Sequence, residues 1–239
     1  MINKFRNLLN FFEENAHRSH SQALQDLFVI FFSNYIGKIG YFVEIGAADG
    51  KNFSNTILLE TIGWQGILVD PVDYPSKNIE LRKCFKDKRC VYSNSGAKLK
   101  FAELTTNEKL NTGAQATKEF SGLINHLSDY AKTFTNKKIY EVETVSLNDL
   151  LEEYIAPNKI DYISIDTEGS EFEIIKNFDF NKYDVEIFTI EHNNASYRED
   201  IIKLLESKKY YRIPPGHFSP GFEDWYIKKD NPVLKKLGV

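Results

Sequence analysis

The feature that most constrains this 239-residue chain is a rhythm of short apolar runs that end at a glycine or an acidic residue. Tyr41-Phe-Val-Glu-Ile45, Gly66-Ile-Leu-Val-Asp70, Cys90-Val-Tyr92, Ile160-Asp-Tyr-Ile-Ser-Ile165 and Val185-Glu-Ile-Phe-Thr-Ile190 have the length and β-branched content of buried strands. Residues 55–61, 76–84, 147–154, 171–177 and 196–207, which lie between or after them, have helical spacing. Strand, helix, strand in repetition calls for parallel strands with crossover helices on both faces, so an α/β, doubly wound, mostly parallel sheet is expected. Runs at 209–213 and 225–228, on either side of Pro214-Pro-Gly216, predict a hairpin at one sheet edge. At the other end of the chain, Phe5, Leu8, Leu9 and Phe12, then Ala23, Leu24, Leu27, Phe28, Phe31 and Phe32, repeat at helical spacing. They predict a helical N-terminal cap over residues 1–38, on a single compact unit over 39–239. Residues 95–144 break the rhythm and carry many Thr, Asn and Lys, which suggests an insertion or a substrate lid.

Composition narrows the function. A net charge of −4 offers no overall positive field, so nucleic acid is not an expected partner. The run Leu27-Phe-Val-Ile-Phe-Phe32 falls far short of the roughly 18 residues that cross a bilayer. With no long apolar stretch or small-residue cleavage site behind Met1, a cytoplasmic location is expected. Cys84 and Cys90 fit neither a zinc pair nor a redox motif and read as ordinary thiols.

In open parallel sheets ligands bind at the carboxyl ends of strands, so the tails of the runs carry the chemistry. The first tail, Glu44-Ile-Gly46-Ala47-Ala48-Asp49-Gly50, is a small-residue loop that lets a ligand approach the backbone, with Ser54-Asn55-Thr56 opening the next helix. The second ends in Asp70-Pro71, where an acid can accept from a vicinal diol of a ribose. Both also have plain structural readings, as a tight turn and a strand-ending Asp. Together they favour a nucleoside, and the Ala pair disfavours a pyrophosphate, so S-adenosylmethionine fits the description. The fourth and fifth tails, Asp166-Thr-Glu168-Gly-Ser-Glu171 and Glu191-His192-Asn193-Asn194, bring acids, an imidazole and amides to neighbouring strand ends.

Taken in order, the motifs resemble those of the FkbM-type S-adenosylmethionine-dependent methyltransferases. The matching pieces are Ser21-Gln-x-x-Gln25-Asp26, Phe42-Val-Glu-Ile-Gly-Ala-x-Asp-Gly50, Ser54-Asn-Thr56, Gly63-Trp64-x-Gly66-Ile-Leu-Val-Asp-Pro71, Ile163-x-Ile-Asp-x-Glu-Gly-x-Glu171 and Ile190-Glu191. The resemblance implies a class I, Rossmann-like methyltransferase fold with a seven-stranded sheet and a reversed final strand. It also implies methyl transfer to a hydroxyl of a sugar, glycan or related natural-product acceptor. Carried over residue by residue, it places Glu44, Gly46, Ala47, Asp49 and Gly50 in the loop that holds the cofactor's amino-acid end and Ser54 and Asn55 at the polar start of the next helix, and it counts Asp166 among the cofactor-binding residues as well. Asp70 with Pro71 falls at the ribose, and Asn94 and Ser95 near the adenine.

The expected general base is His192, with Asp166 and Glu168 as orienting or alternative acceptors, because an imidazole needs no tuning to work near neutrality. In a competing reading Asp166 and Glu191, with Asn193 or Asn194, ligate Mg²⁺. The acceptor is expected among the N-terminal cap, residues 95–144 and residues 214–222, using aromatics from Tyr130, Phe134, Tyr197, Tyr211, His217, Phe218 and Trp225. Two other functions remain open. An NAD-dependent oxidoreductase is opposed by Ala47-Ala48 and by the lack of a recognisable Tyr-x-x-x-Lys. A nucleoside-binding module without catalysis would have little use for the acids.

Overall fold

The structure is a computed structural model and describes residues 5–33, 39–105, 118–127, 129–214 and 220–238, with only the backbone at 129 and 130. Its strands are β1 (Tyr41–Ile45), β2 (Gln65–Val69), β3 (Phe85–Asp87), β4 (Cys90–Tyr92), β5 (Lys98–Leu104), β6 (Gly122–Leu123), β7 (Lys137–Ser146), β8 (Lys159–Ile165), β9 (Asp184–Glu191), β10 (Tyr210–Arg212) and β11 (Glu223–Lys228). Its helices are α1 (Arg6–Asn15), α2 (Gln25–Phe32), α3 (Ile57–Thr61), α4 (Asp129–Lys132), α5 (Leu147–Glu153), α6 (Glu171–Ile175), α7 (Arg198–Ser207) and α8 (Pro232–Lys236).

A seven-stranded sheet in the order β10-β11-β9-β8-β1-β2-β3 forms the centre. From β3 to β9 every pairing is parallel, whereas β11 runs antiparallel to both β9 and β10. The sheet is therefore mixed, which corrects the mostly parallel sheet expected above. Parallel strands with helices on both sides must be apolar on both faces, and the alternation within β1 shows how. Val43 and Ile45 enter a core shared with α5, α6 and α7, while Phe42 enters a second core with Leu68, Tyr162, Trp225 and helices α1, α2 and α8. Phe28 of α2 packs its ring 4.5 Å from that of Trp225.

Two local expectations change. The third strand of the central sheet is β3, whereas Cys90–Tyr92 pairs with β7 in a second sheet of order β4-β7-β5-β6. Phe85-Lys-Asp87 escapes an apolar pattern because it is an edge strand with Phe85 exposed. Residues 76–84 form only a short 3-10 turn, Asn78–Leu81, ahead of the buried Arg82. The 95–144 segment contributes β5, β6 and most of β7, and its residues 106–117 and 128 lie outside the described ones.

The second sheet is pressed against the end of β8. A Cβ on Gly169 would lie 1.8 Å from the His126 carbonyl oxygen, and one on Gly122 would lie 3.3 Å from that of Thr167. This contact roofs the carboxyl ends of the central strands.

Candidate active site

The loop after β1 is held by buried polar contacts. Gly46 has φ +83°, and a Cβ there would sit 1.7 Å from the Asp166 carbonyl oxygen, so only glycine lets the β1 and β8 ends approach this closely. Glu44 accepts from Ser54 Oγ at 2.9 Å, from the Asn55 backbone N–H at 2.7 Å and from the Thr56 hydroxyl. Burial pushes its pKa up, and the Arg82 guanidinium with these donors pulls it back. Arg82 braces the same loop through Gly50 O at 2.7 Å, Ser54 Oγ at 3.1 Å and Thr56 Oγ1 at 3.0 Å, and pairs with Glu60 at 3.2 Å. Asp49 accepts from the Lys51 and Asn52 amides at 2.9 and 2.8 Å and from Asn78 Nδ2 at 2.9 Å. Burial opposes its charge, yet these donors prevail and hold its carboxyl below the usual range.

The loop borders a cavity of about 370 Å³, within the usual range for small-molecule sites. Among the residues singled out from sequence, Glu44, Gly46, Ala47, Asn55, Asp70, Pro71, Asp166, Glu168, Glu191 and Asn193 line it. Asp49, Gly50 and Ser54 do not, and act on the loop from behind. Asn94 and Ser95 are exposed at the turn between β4 and β5, where Ser95 bonds Asp149 and the Ser146 amide. The structure does not bring them to the cavity. Its far wall comes instead from Tyr74, Cys90, Val91, Phe101 and Leu123.

Asp70, at the end of β2, accepts the Ala48 and Val72 amides at 2.8 Å each, one per carboxylate oxygen. An ionised carboxylate has about four acceptor positions, so two remain. Burial pushes its pKa up to about 7. Asn55 donates to Ser164 Oγ at 3.0 Å, while its Oδ1, on a residue 7% exposed, has no partner among the described residues.

Register generates the acid cluster. Ile165 pairs with Ile190, which places Asp166 and Glu191 next along the two strands, and Glu191 pairs with Glu223 of β11. Asp166, Glu168 and Glu191 each offer an oxygen within 4.8 Å of the others. Burial pushes Asp166 up to about 6 against the pull of a hydrogen bond with Glu191, whose own pKa burial and neighbouring carboxylates drive well above the normal value. The Glu168 carboxyl is raised in the same way. Glu171 instead supports the backbone. It accepts from the Thr167 and Gly169 amides at 2.8 and 3.0 Å and from Tyr197 OH at 2.6 Å, fixing the turn that carries Glu168.

His192 does not line the cavity. It is 2% exposed, with Nδ1 accepting from the Asn194 amide at 2.9 Å and Nε2 standing 3.6 Å from Asp224, which Arg198 and Arg212 also hold. Burial lowers its pKa to about 4. Successive strand residues point to opposite faces, so Glu191 and His192 diverge, as do their neighbours Glu223 and Asp224.

A family model described as the methyltransferase FkbM domain matches residues 44–213. The chain belongs to the FkbM methyltransferase family. In this methyltransferase the matched region runs from the acid that fixes the first loop to the end of the sheet hairpin's first strand. No curated protein matches the chain. Among solved structures, a human methyltransferase 10 domain containing protein is 10% identical, with 87% of this chain and 82% of that chain covered and a TM-score of 0.36. The N-terminal domain of human METTL16, solved in complex with SAH, is 12% identical, with 85% of this chain and 68% of that chain covered and again a TM-score of 0.36.

A second cleft adjoins the first and shares Phe120, Glu168 and Asn193 with it, and Asn125, His126, Asn194, Ser196 and Tyr197 are among its other lining residues. Of the aromatics expected at an acceptor, Tyr197 is here, whereas Phe134 and Trp225 are buried in cores and Tyr211 packs against one. His217, Phe218 and the Tyr130 side chain lie outside the described residues. Sequence reasoning missed Arg82, whose isolated charge beside a 3-10 turn carries no pattern. It also missed Glu223, for which an acid at the start of a strand opposite Glu191 was the available signal.

Proposed function

We propose that this FkbM-family chain is an S-adenosylmethionine-dependent O-methyltransferase that acts on a hydroxyl of a sugar, glycan or related natural-product acceptor. The observation that carries the reading is the joining, in one cavity, of a small-residue loop, a ribose-type acid and a cluster of carboxyls with raised proton affinity.

The residues present suit such a cofactor. Gly46 and Ala47 leave the backbone open to its amino-acid end, the unpartnered Asn55 Oδ1 suits an ammonium donor, and Asp70 keeps acceptor positions for two ribose hydroxyls. Bound there, the cofactor supplies an electrophilic methyl group on a positively charged sulfur. What the chain must add is position and a proton acceptor. Well-oriented reactants gain roughly 7–11 kcal/mol, against about 10²–10⁴-fold for a placed base.

Asp166 takes the base role in this reading. Burial raises the proton affinity of Asp166 and of its hydrogen-bonded partner Glu191, and in this reading Asp166 takes the proton of the acceptor hydroxyl while Glu191 holds the proton that the pair shares. Burial provides the upward tuning that a carboxylate needs to work near neutrality. His192, turned toward Asp224, instead secures the β9–β11 corner.

The clustered oxygens of Asp166, Glu168 and Glu191 also suit a divalent cation, which would acidify the acceptor hydroxyl. Transfer of labelled methyl to a glycan panel tests both readings. Asp166→Asn should lower kcat by about 10²–10⁴-fold and leave residual activity, while His192→Ala keeps the wild-type pH profile. Activity that survives EDTA favours the proton acceptor, and activity that EDTA abolishes and Mg²⁺ restores favours the cation. Full activity in Asp166→Asn would overturn the role given to this cluster.

A further inference from the structure

Phe53 combines two unfavourable features. It has φ +58°, a left-handed conformation that costs a non-glycine residue, and its ring is 62% exposed. Neither feature reflects a loose loop. Asn52 on one side is tied to Asp49 through its backbone at 2.8 Å and its side chain at 2.9 Å. On the other side Ser54 is tied to Glu44 at 2.9 Å, and Phe53 itself forms a parallel bridge with Ser21. An exposed aromatic side chain is thus carried on a tied-down backbone at a strained position.

The surroundings indicate what it meets. Phe53 lines the cavity that contains Asp166 and Glu191, as do Gln22, Asn52 and Phe222. Gln25 Nε2 donates to Glu223 Oε2 at 2.7 Å, which ties the Ser21–Gln25 segment to the β11 end of the acid row. Phe222 is at that end as well, its carbonyl accepting the His192 and Asn193 amides at 2.9 and 3.0 Å. Asp70 stands at the end of β2, on the other side of Asp166 in the sheet order. Phe53 is therefore tied to the β11 side of the acids, away from Asp70.

We propose that Phe53 is the stacking platform for the acceptor, taking the apolar face of the sugar ring that bears the reacting hydroxyl, with Gln22 and Asn52 supplying polar contacts at its edge. The proposal rests on the sugar O-methyltransferase reading above and makes Phe53 a specificity-determining residue. Flat rings give a large contact area at low entropic cost, and a fixed platform orients the hydroxyl toward Asp166.

Phe53→Gly separates this role from a structural one, because glycine accepts the left-handed backbone and removes only the ring. Wild type, Phe53→Gly and Phe53→Tyr would be assayed by labelled methyl transfer to a panel of methyl glycosides of hexoses and deoxyhexoses. For a glycoside that wild type methylates, Phe53→Gly should raise acceptor KM about tenfold with kcat changed less than about threefold, and Phe53→Tyr should restore KM. Its melting temperature should stay within about 3 °C of wild type, and its affinity for S-adenosylhomocysteine should be unchanged. An unaltered acceptor KM in an active Phe53→Gly enzyme would overturn the platform alone. A wild-type protein that binds S-adenosylhomocysteine but methylates no glycoside would overturn the sugar reading and the platform with it.

Discussion

Replacing Glu223 with glutamine measures the electrostatic cost of the acid row on folding. The side chain is 3% exposed, and one oxygen accepts both Gln25 Nε2 at 2.7 Å and Trp225 Nε1 at 2.8 Å. Burial, reinforced by the Asp166 charge, pushes its pKa from 4.5 up to about 7. A carboxyl raised in this way holds its proton more tightly in the folded state than in the unfolded chain. Its stabilising contribution is complete below about pH 4.5 and is lost as pH rises through about 7. A difference of roughly 2.5 units, at 1.36 kcal/mol per unit, amounts to about 3 kcal/mol above that window. Glutamine keeps an oxygen for both donors and cannot ionise. Glu223→Gln should therefore match wild type at the acid end and exceed it by up to about 3 kcal/mol near pH 8, read from urea denaturation at a series of pH values. A stability difference that does not change with pH, or a variant weaker than wild type near pH 8, would refute the reasoning.

Two further substitutions probe the first loop. Gly46→Ala puts a Cβ 1.7 Å from the Asp166 carbonyl oxygen at φ +83°, an overlap with backbone that no rotamer relieves. The expected loss is about 3 kcal/mol, roughly 6–12 °C in Tm, together with loss of S-adenosylhomocysteine binding; a thermal melt within about 2 °C of wild type would contradict it. Arg82→Met removes the contacts to Gly50, Ser54, Thr56 and Glu60 and leaves Glu44 buried without a cation. It should cost about 3–5 kcal/mol in denaturant, and a change below about 1 kcal/mol would show that the brace does not stabilise the fold.

The central strands are legible in the sequence because burial on both faces forces continuous apolar runs, as in Phe42-Val43 and Ile67-Leu-Val69. β3 is not, since an edge strand with an exposed Phe85 has no such requirement. Cys90–Tyr92 has a buried pattern but no signal for which sheet it joins, and only tertiary packing assigns it to β7. The strand-end acids are legible for the same reason as the strands, because a carboxylate closing a buried run stands out. The choice between Glu191 and His192 depends on side-chain direction. Counting alternation back along β9 and across to β11 would have turned His192 toward Asp224 and added Glu223 to the acid row. Arg82 and the far cavity wall depend on contacts remote in sequence, such as that between Gly50 and Arg82, 32 residues apart.

The most direct test is a calorimetric titration of wild type and Asp70→Ala with S-adenosylhomocysteine, with NAD as the comparison ligand. A thioether nucleoside lodged between Gly46 and Asp70 should bind wild type at one site per chain and Asp70→Ala at least about tenfold more weakly, while NAD gives no heat. Binding of NAD in its place, or undiminished binding by Asp70→Ala, would contradict the placement of the cofactor on which the catalytic reading rests.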